Sequence, residues 1–264
     1  MYYKRILSLA SHQHELYRRE PLLSGPRITN VMHKERGMSI RGRFATVAVL
    51  FLVAVGLIVW SLMAFLTPGT PGGVMDFTTS QAPGQPVNLT VQTVGAIGFG
   101  KHPTWVSYLV KDPHTNQWVQ DTTWKLPANT VVNMTVLQYD TGGPLRNQEW
   151  GQVQGTINGT ASLNGTSYSV YPSYTGNGVG HTFAVPAIGL NVPLIGVSAN
   201  AQVCGAGPCH TSSPHNTITF SFKTPSPGSY SWQCFVPCGL GYLYGNGGPM
   251  ATQNYMGGFL EVVR

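Results

Sequence analysis

The sequence predicts an all-β sandwich carried outside a membrane by one N-terminal transmembrane α-helix. Three observations support this fold class. The 264 residues include 32 glycines and 19 prolines, which is typical of turn-rich β-proteins. Short β-prone segments recur between the turns from residue 88 to the C-terminus. An uncharged apolar run over residues 44–66 precedes them and is long enough to cross a bilayer.

Charge is scarce and unevenly placed. Charged residues make up 9% of the chain, against roughly 25% in ordinary soluble domains, which argues against a disordered tail or a long coiled coil. Residues 1–44 hold nine basic and three acidic residues, whereas the rest of the chain holds six of each. The net charge of +6 therefore leaves no basic face for a nucleic acid outside the N-terminal arm. The scarcity of carboxylates also suits an acidic environment, because few groups lose stabilising charge as the pH falls.

The apolar run predicts a single membrane span. A cleaved signal peptide would have a shorter apolar region, about 7–15 residues, behind a short basic stretch. Here the span follows a basic arm of residues 1–43. Basic flanks remain in the cytoplasm, so we expect a single-pass cell-membrane protein with a cytoplasmic N-terminus and with residues 67–264 outside. We expect the arm to contact anionic lipid or a cytoplasmic neighbour.

The exported part divides by composition. Residues 67–87 are rich in Pro, Gly and Thr and predict a spacer, and residues 88–264 predict one sandwich domain. Within it, residues 141–180 are rich in Gly, Asn and Thr and predict a surface insertion. Four Asn-x-Ser/Thr sequons begin at Asn88, Asn133, Asn158 and Asn164, which is compatible with export.

The strands are predicted from alternation and β-propensity. The segments are NLTVQTVGAI, TWVSYLV, QWVQDTTWKL, TVVNMTVLQYD, HTFAVPAI, NTITFSFK, GSYSWQC and GGFLEVV. Residues 217–222 alternate polar and apolar side chains, which places one face of that strand in a core and the other in solvent. An antiparallel sandwich is the simplest arrangement for so many short strands.

One C-terminal segment carries the chemistry. Cys234 and Cys238 are four residues apart on a predicted tight loop, His181 lies on a separate strand, and Met250 and Met256 follow downstream. Thiolate, imidazole and thioether are soft ligands that favour copper over hard cations. The spacing alone is equally compatible with a loop closed by a disulfide.

At these residues the sequence resembles subunit II of haem–copper terminal oxidases, whose exported cupredoxin domain is a Greek-key sandwich with a dinuclear copper centre, CuA. The segments that carry the resemblance are HTFAVP at 181–186 and PGSYSWQCFVPCG at 227–239. The matching region covers about residues 181–263, and the single N-terminal anchor is like that of shorter family members.

The resemblance implies a set of metal ligands. His181 would bind one copper, Cys234 and Cys238 would bridge two, and the backbone carbonyl of Val236 would bind as well. Met256 matches the family's thioether ligand better than Met250 does.

The sequence departs from the family at one ligand. The family has a second histidine four residues after the second cysteine, where this chain has Tyr242, and no histidine follows Cys238. A phenol binds poorly until it loses a proton with a pKa near 10. His210 or His215 could supply the imidazole by folding over, although a histidine beside a turn is more often solvated. Residues 243–254 form a further insertion.

The other cysteine pair is outside the family pattern. Cys204 and Cys209 predict a local disulfide in an oxidising compartment. A second copper site, or cross-pairing with Cys234 or Cys238, stays open because connectivity is not readable from sequence.

The resemblance implies an electron-entry subunit. It would take electrons from an external donor, namely cytochrome c, a blue copper protein or a quinol, and pass them through copper to the haem–copper subunit I, where oxygen is reduced. Trp232, two residues before Cys234, is the candidate entry residue, and most other tryptophans are expected in the core. The alternatives are a copper-free quinol-oxidase-type subunit with disulfide-bonded cysteines, and a free-standing membrane-anchored copper protein. No hydrolase motif is present in the sequence.

Overall fold

The N-terminal helix begins earlier than the apolar run. The structure, a computed structural model, describes residues 39–66, 72–82, 84–172, 174, 176–239 and 248–264. Helix α1 covers Ile40–Leu66, and the Ser39 hydroxyl accepts a hydrogen bond from the Gly42 N–H at 3.2 Å. This N-cap explains why the helix starts four residues before the predicted span of 44–66. Among the described residues it is the one helix long and apolar enough to cross a bilayer.

The remaining elements form two β-sheets. The strands of the first sheet, in spatial order, are β1 (Val74–Asp76), β5 (Thr123–Pro127), β13 (Gly257–Val263), β12 (Gly228–Gln233), β9 (Val179–Val185) and β10 (Leu190–Ile195). The strands of the second sheet are β4 (Trp118–Val119), β3 (Ser107–Lys111), β2 (Val87–Val94), β6 (Val131–Gln138), β11 (Asn216–Lys223), β7 (Ala161–Leu163) and β8 (Thr166–Tyr168). Short 3₁₀ turns cover Gln148–Gly151, Ile157–Gly159 and Pro186–Ile188.

The order of the strands shows repeated crossing between the sheets. β2 pairs in parallel with β6, and β13 lies between the parallel β5 and the antiparallel β12. The predicted Greek-key sandwich with one N-terminal apolar helix is confirmed.

The core lies between the two sheets and follows the predicted alternation. On β11 the side chains of Ile218, Phe220 and Phe222 are buried, whereas the polar residues between them point away from the core. The largest wholly buried side chains include Trp124 and Trp232. Apolar burial of this kind contributes about 25 cal/mol per Å² and fixes the register, because a slip of one residue would expose the whole apolar face of a strand.

Part of the predicted spacer belongs to the sandwich. Residues 67–87 were expected to lie outside the folded domain, but β1 pairs in parallel with β5. Phe77 is only 1% exposed, so its burial anchors this segment despite its Pro and Gly content. Residues 67–71 and 83 lie outside the described part of the chain, as do residues 1–38 of the predicted arm.

The predicted surface insertion is also partly built into the sheets. Within residues 141–180, β7 pairs with β11 and β8 pairs with β7. An isolated bridge joins Gln154 to Asn191 on β10. The Gly-rich composition hid these contacts, because short strands that extend an existing sheet need little alternation of their own.

We expect Asp76 to stabilise the edge strand β1 until the pH is very low. Its pKa falls from 3.8 to about 2, chiefly through the Thr78 hydroxyl and with help from Lys125, which lies 2.9 Å away. Because the folded pKa is below the unfolded one, the stabilisation is present above pH 4 or so and is lost as the pH falls through about 2. The two side chains are 40% and 39% exposed, so Asp76→Asn should cost about 1 kcal/mol or less at pH 6. Thermal unfolding at pH 6 and pH 1.5 tests this, and an equal loss at both pH values contradicts it.

Candidate metal centre

The cysteine loop connects two paired strands of the first sheet. β12 leads directly into Cys234, and β13 starts directly after Met256, with Gln233 opposite Gly257. The Cys234 N–H donates to the Met256 carbonyl at 2.9 Å. The pairing therefore continues one step beyond the strands and fixes the start of the loop next to Met256.

His181 reaches the loop from the neighbouring strand β9. Gln233 on β12 pairs with Ala184 on β9. Thr182 donates its backbone N–H to Cys234 Sγ at 3.4 Å, and its hydroxyl accepts from the Phe235 N–H at 2.8 Å. These two bonds hold the loop against β9 beside His181.

The three donor atoms converge on one buried point. His181 Nδ1 lies 2.9 Å from Cys238 Sγ and 3.9 Å from Cys234 Sγ, and the two sulfurs are 3.4 Å apart. All three atoms lie within 4.8 Å of one another. Cys234 and Cys238 are free thiols, not a disulfide, and His181 is 2% exposed.

The carbonyl of Val236 lies at the same point. Its oxygen accepts from the Cys238 thiol at 2.9 Å and lies 3.5 Å from Cys234 Sγ. Met256 is wholly buried and adjoins Cys234 through its backbone. Met250 is 7% exposed, and its carbonyl accepts from Gln233 Nε2 at 3.1 Å. Both methionines are thus near the loop, and the backbone bond to Cys234 distinguishes Met256.

The second imidazole is not supplied by the described residues. His210 is exposed, and His215 Nδ1 contacts the Ser213 carbonyl at 2.8 Å while its ring lies 5.0 Å from the ring of Tyr139. Neither belongs to the donor cluster found among the described residues. Tyr242 lies outside the described part of the chain, within residues 240–247.

The local disulfide between Cys204 and Cys209 is present. This confirms the pairing expected for an oxidising compartment, and it removes both the second copper site and the cross-pairing considered for these cysteines. Cys234 and Cys238 are thereby left available as metal ligands.

The metal-free cluster is an ion pair. Burial raises the pKa of the Cys234 thiol, but the Cys238 thiol and the His181 imidazolium outweigh burial and bring this pKa well below its ordinary range. Burial lowers the pKa of His181, but Asp140 and the Cys234 thiolate raise it to about 9. Cys238 has its pKa raised, first by its bond to Cys234 and then by burial. One thiolate is therefore ready to bind a cation at neutral pH.

Two residues with no predicted role at the metal site contact either the cluster or its loop. Asp140 Oδ2 lies 3.3 Å from His181 Nε2, and Trp150 stacks on Phe235 with ring centroids 4.4 Å apart and planes 4° from parallel. Asp140 is the last residue of a predicted strand and Trp150 lies in the insertion, and neither belongs to a motif. Only the tertiary fold brings them to the loop.

Trp232 is a core residue. It is 1% exposed, its ring lies 4.9 Å from the rings of Trp124 and Tyr108, and its Nε1–H donates to the Thr122 carbonyl at 2.9 Å. Most tryptophans were predicted to lie in the core. Trp124 and Trp232 are fully buried there, whereas Trp105, Trp118 and Trp150 are half-buried. An external electron donor could therefore not contact the Trp232 ring directly.

The donor set fits a soft metal ion. Two sulfurs, one imidazole nitrogen and a backbone carbonyl share a buried point, and one sulfur is already ionised. This chemistry suits copper and also zinc, whereas magnesium and calcium prefer oxygen ligands. A cavity of about 820 Å³ borders His181 and Cys238, with Trp105 also in its wall.

Comparison with known proteins gives structural matches alone. The chain matches no protein-family model and no curated protein. It is similar to a structure of the copper protein rusticyanin, with 15% identity, a TM-score of 0.32, and 78% of this chain and 92% of that one covered. Rusticyanin from Thiobacillus ferrooxidans matches with 14% identity, a TM-score of 0.27 and the same coverage. Likeness at this level carries no argument about function.

The cysteine states predict a definite thiol count. Unfolded without reductant, the chain should show two thiols, from Cys234 and Cys238, and with reductant it should show four. Replacing the imidazolium by His181→Gln should raise the pKa of Cys234, because one of the groups that offset burial is lost, while the Cys238 thiol and the Thr182 N–H remain. Thiolate absorbance against pH in the metal-free chain checks the direction. An unchanged midpoint, or no free thiol after unfolding, contradicts this assignment.

Proposed function

We propose that this chain is a membrane-anchored copper protein that transfers electrons. The observation that carries the proposal is the convergence of His181 Nδ1, Cys234 Sγ and Cys238 Sγ within 4.8 Å in a buried position. Two free cysteines with an ionised sulfur have no structural need to lie beside a buried histidine. A shared metal ion is the simplest reason for this arrangement.

Bound copper would supply a centre that gains and loses one electron. The residues of the chain would hold it in place. His181 is fixed on β9, Cys234 is fixed by the Met256 and Thr182 backbones, and Phe235 is fixed by Thr182 and Trp150. Ligands on such a rigid support keep their positions between two oxidation states, which favours fast electron transfer.

The pair of cysteines supports a dinuclear centre of the CuA type. Both sulfurs face the same point and lie 3.4 Å apart, so each could bridge two ions. Among the described residues the cluster contains one imidazole, and the second ion would need another ligand. Tyr242 and the two methionines are the candidates in the sequence.

We propose further that the chain is a subunit II-like component of a haem–copper terminal oxidase. Support comes from the resemblance of residues 181–263 and from the apolar helix α1. We propose that the basic N-terminal arm lies in the cytoplasm and the sandwich lies outside the cell membrane. Electrons would come from cytochrome c, a blue copper protein or a quinol and would leave to the haem–copper subunit I.

One observation favours a second candidate, a copper-free subunit with a structural role. The described residues provide a single histidine in the cluster, fewer than the resemblance requires. Cys234 and Cys238 are free thiols. This opposes the copper-free subunit, because that alternative predicts disulfide-bonded cysteines.

Copper loading of the full chain in detergent tests the proposal. We expect one or two coppers per chain, with a thiolate-to-copper absorption band, and two coppers sharing one unpaired electron in the paramagnetic resonance spectrum would establish the dinuclear centre. His181→Gln and Cys234→Ser should each lower copper affinity at least tenfold. The paired change Cys204→Ser with Cys209→Ser is the matched control, because it removes two sulfurs from outside the cluster and should leave copper content unchanged.

Two results of the copper-loading measurement would contradict the proposal. No copper bound after full reduction and loading would overturn the electron-transfer role and favour the structural subunit. Stoichiometric zinc with no copper uptake from an equimolar mixture would overturn the choice of metal.

The oxidase context has a separate test. An affinity-tagged chain purified from its native membrane in mild detergent should bring with it a haem-containing membrane subunit, visible by haem absorption and mass spectrometry. Cys234→Ser should retain this association, because the change affects the metal site and not the outer surface. A chain that purifies alone with copper bound would favour the free-standing copper protein.

A further inference from the structure

The orientation of His181 decides which ring nitrogen can bind a metal. Nδ1 faces both cysteine sulfurs, so a metal at the cluster would replace the proton on Nδ1. The remaining ring proton must then stay on Nε2. That nitrogen is buried and makes no well-aligned hydrogen bond, and an unsatisfied buried N–H is costly, by about 1–3 kcal/mol.

Asp140 is placed to accept a hydrogen bond from the Nε2–H group of His181. Its Oδ2 lies 3.3 Å from His181 Nε2, and its side chain is 29% exposed whereas that of His181 is 2% exposed. A small rotation of the carboxylate would align the bond. A negative charge at this distance also strengthens the imidazole as a donor to the metal.

Asp140 is itself held by backbone contacts. Its other oxygen, Oδ1, accepts from the Thr141 N–H at 2.8 Å. Its carbonyl accepts from the Val197 N–H at 3.0 Å and from Gln138 Nε2 at 3.2 Å. The carboxylate is therefore presented by a fixed stretch of backbone, not by a mobile loop tip.

The backbone at Asp140 and Thr141 packs closely against β9. A Cβ at Gly180, the residue before His181, would lie 2.9 Å from the Thr141 carbonyl oxygen, closer than such contacts normally come. The glycine lets β9 approach the Asp140–Thr141 backbone closely. The approach sets the distance between the carboxylate and the imidazole.

We propose that Asp140 is a positioning residue that holds the proton of His181 on Nε2 and so keeps Nδ1 free for copper. This role rests on the proposed function and names a residue that acts on the metal through His181. The residue does not itself touch the metal.

Three variants of the full chain in detergent test the role. Asp140→Ala removes both the acceptor and the charge, and Asp140→Asn keeps an acceptor oxygen but removes the charge. Asp112→Asn is the matched control, since it also removes one negative charge, and the Asp112 carboxylate accepts hydrogen bonds from Thr115 and His114, far from the cluster in the sequence. Circular dichroism and thermal unfolding show whether each variant is folded.

The first readout is affinity for copper(I), measured by competition with a chromophoric chelator. Asp140→Ala should weaken binding by about 10- to 100-fold, Asp140→Asn should weaken it less, and Asp112→Asn should not change it. The second readout is nuclear magnetic resonance of ¹⁵N-histidine-labelled, copper(I)-loaded chain. The His181 signal, assigned with His181→Gln, should show the proton on Nε2 in wild type and faster exchange of that proton in Asp140→Ala.

The outcomes separate this role from the proposed function. Equal copper affinity and equal Nε2 proton exchange in wild type and Asp140→Ala would overturn the positioning role while leaving the copper protein intact. No copper uptake by the wild-type chain would overturn both. A purely structural role for Asp140 would lower thermal stability without changing the exchange of the Nε2 proton in the loaded chain, and this result would also overturn the proposal.

Discussion

The candidate centre depends on the way Thr182 joins β9 to the cysteine loop. This one buried residue donates its N–H to Cys234 Sγ, accepts from the Phe235 N–H with its hydroxyl, and accepts from the Tyr108 hydroxyl with its carbonyl at 2.9 Å. Its neighbour His181 is therefore fixed relative to both sulfurs. Loss of this junction would separate donors that come from strands more than fifty residues apart in the chain.

The core beneath the junction gives it rigidity. Trp232 packs against Trp124 and Tyr108, and aromatic contacts of this kind add about 0.5–1.5 kcal/mol beyond burial. β12 cannot shift without disturbing these rings, so the loop that follows it has a fixed origin. Trp150, stacked on Phe235, supports the loop from the side of the insertion. The insertion thus has a part in shaping the site, and its composition alone gave no sign of this.

Alternation in the sequence predicted most of the strands but missed four. β10 shows no alternation because every residue in it is buried, and it contains Pro193, which fits only an edge position. The short strands β1, β7 and β8 extend existing sheets with three residues each. Their pairing is decided by the partner strand, and a Gly-rich or Pro-rich segment carries little local evidence of it.

The sequence by itself determined the apolar helix and the sandwich class, because periodicity and length are local properties. Its resemblance to a known family named His181, Cys234, Val236, Cys238 and Met256 as candidate donors, and the structure brings His181, Cys234 and Cys238 together. The tertiary structure decided which cysteines pair with each other and that Trp232 is buried. It also decided that Asp140 and Thr182 contact the centre and that Trp150 supports its loop through Phe235. These facts depend on contacts between segments distant in the chain. Such contacts arise only when two sheets bury their apolar faces together, and a local pattern does not record them.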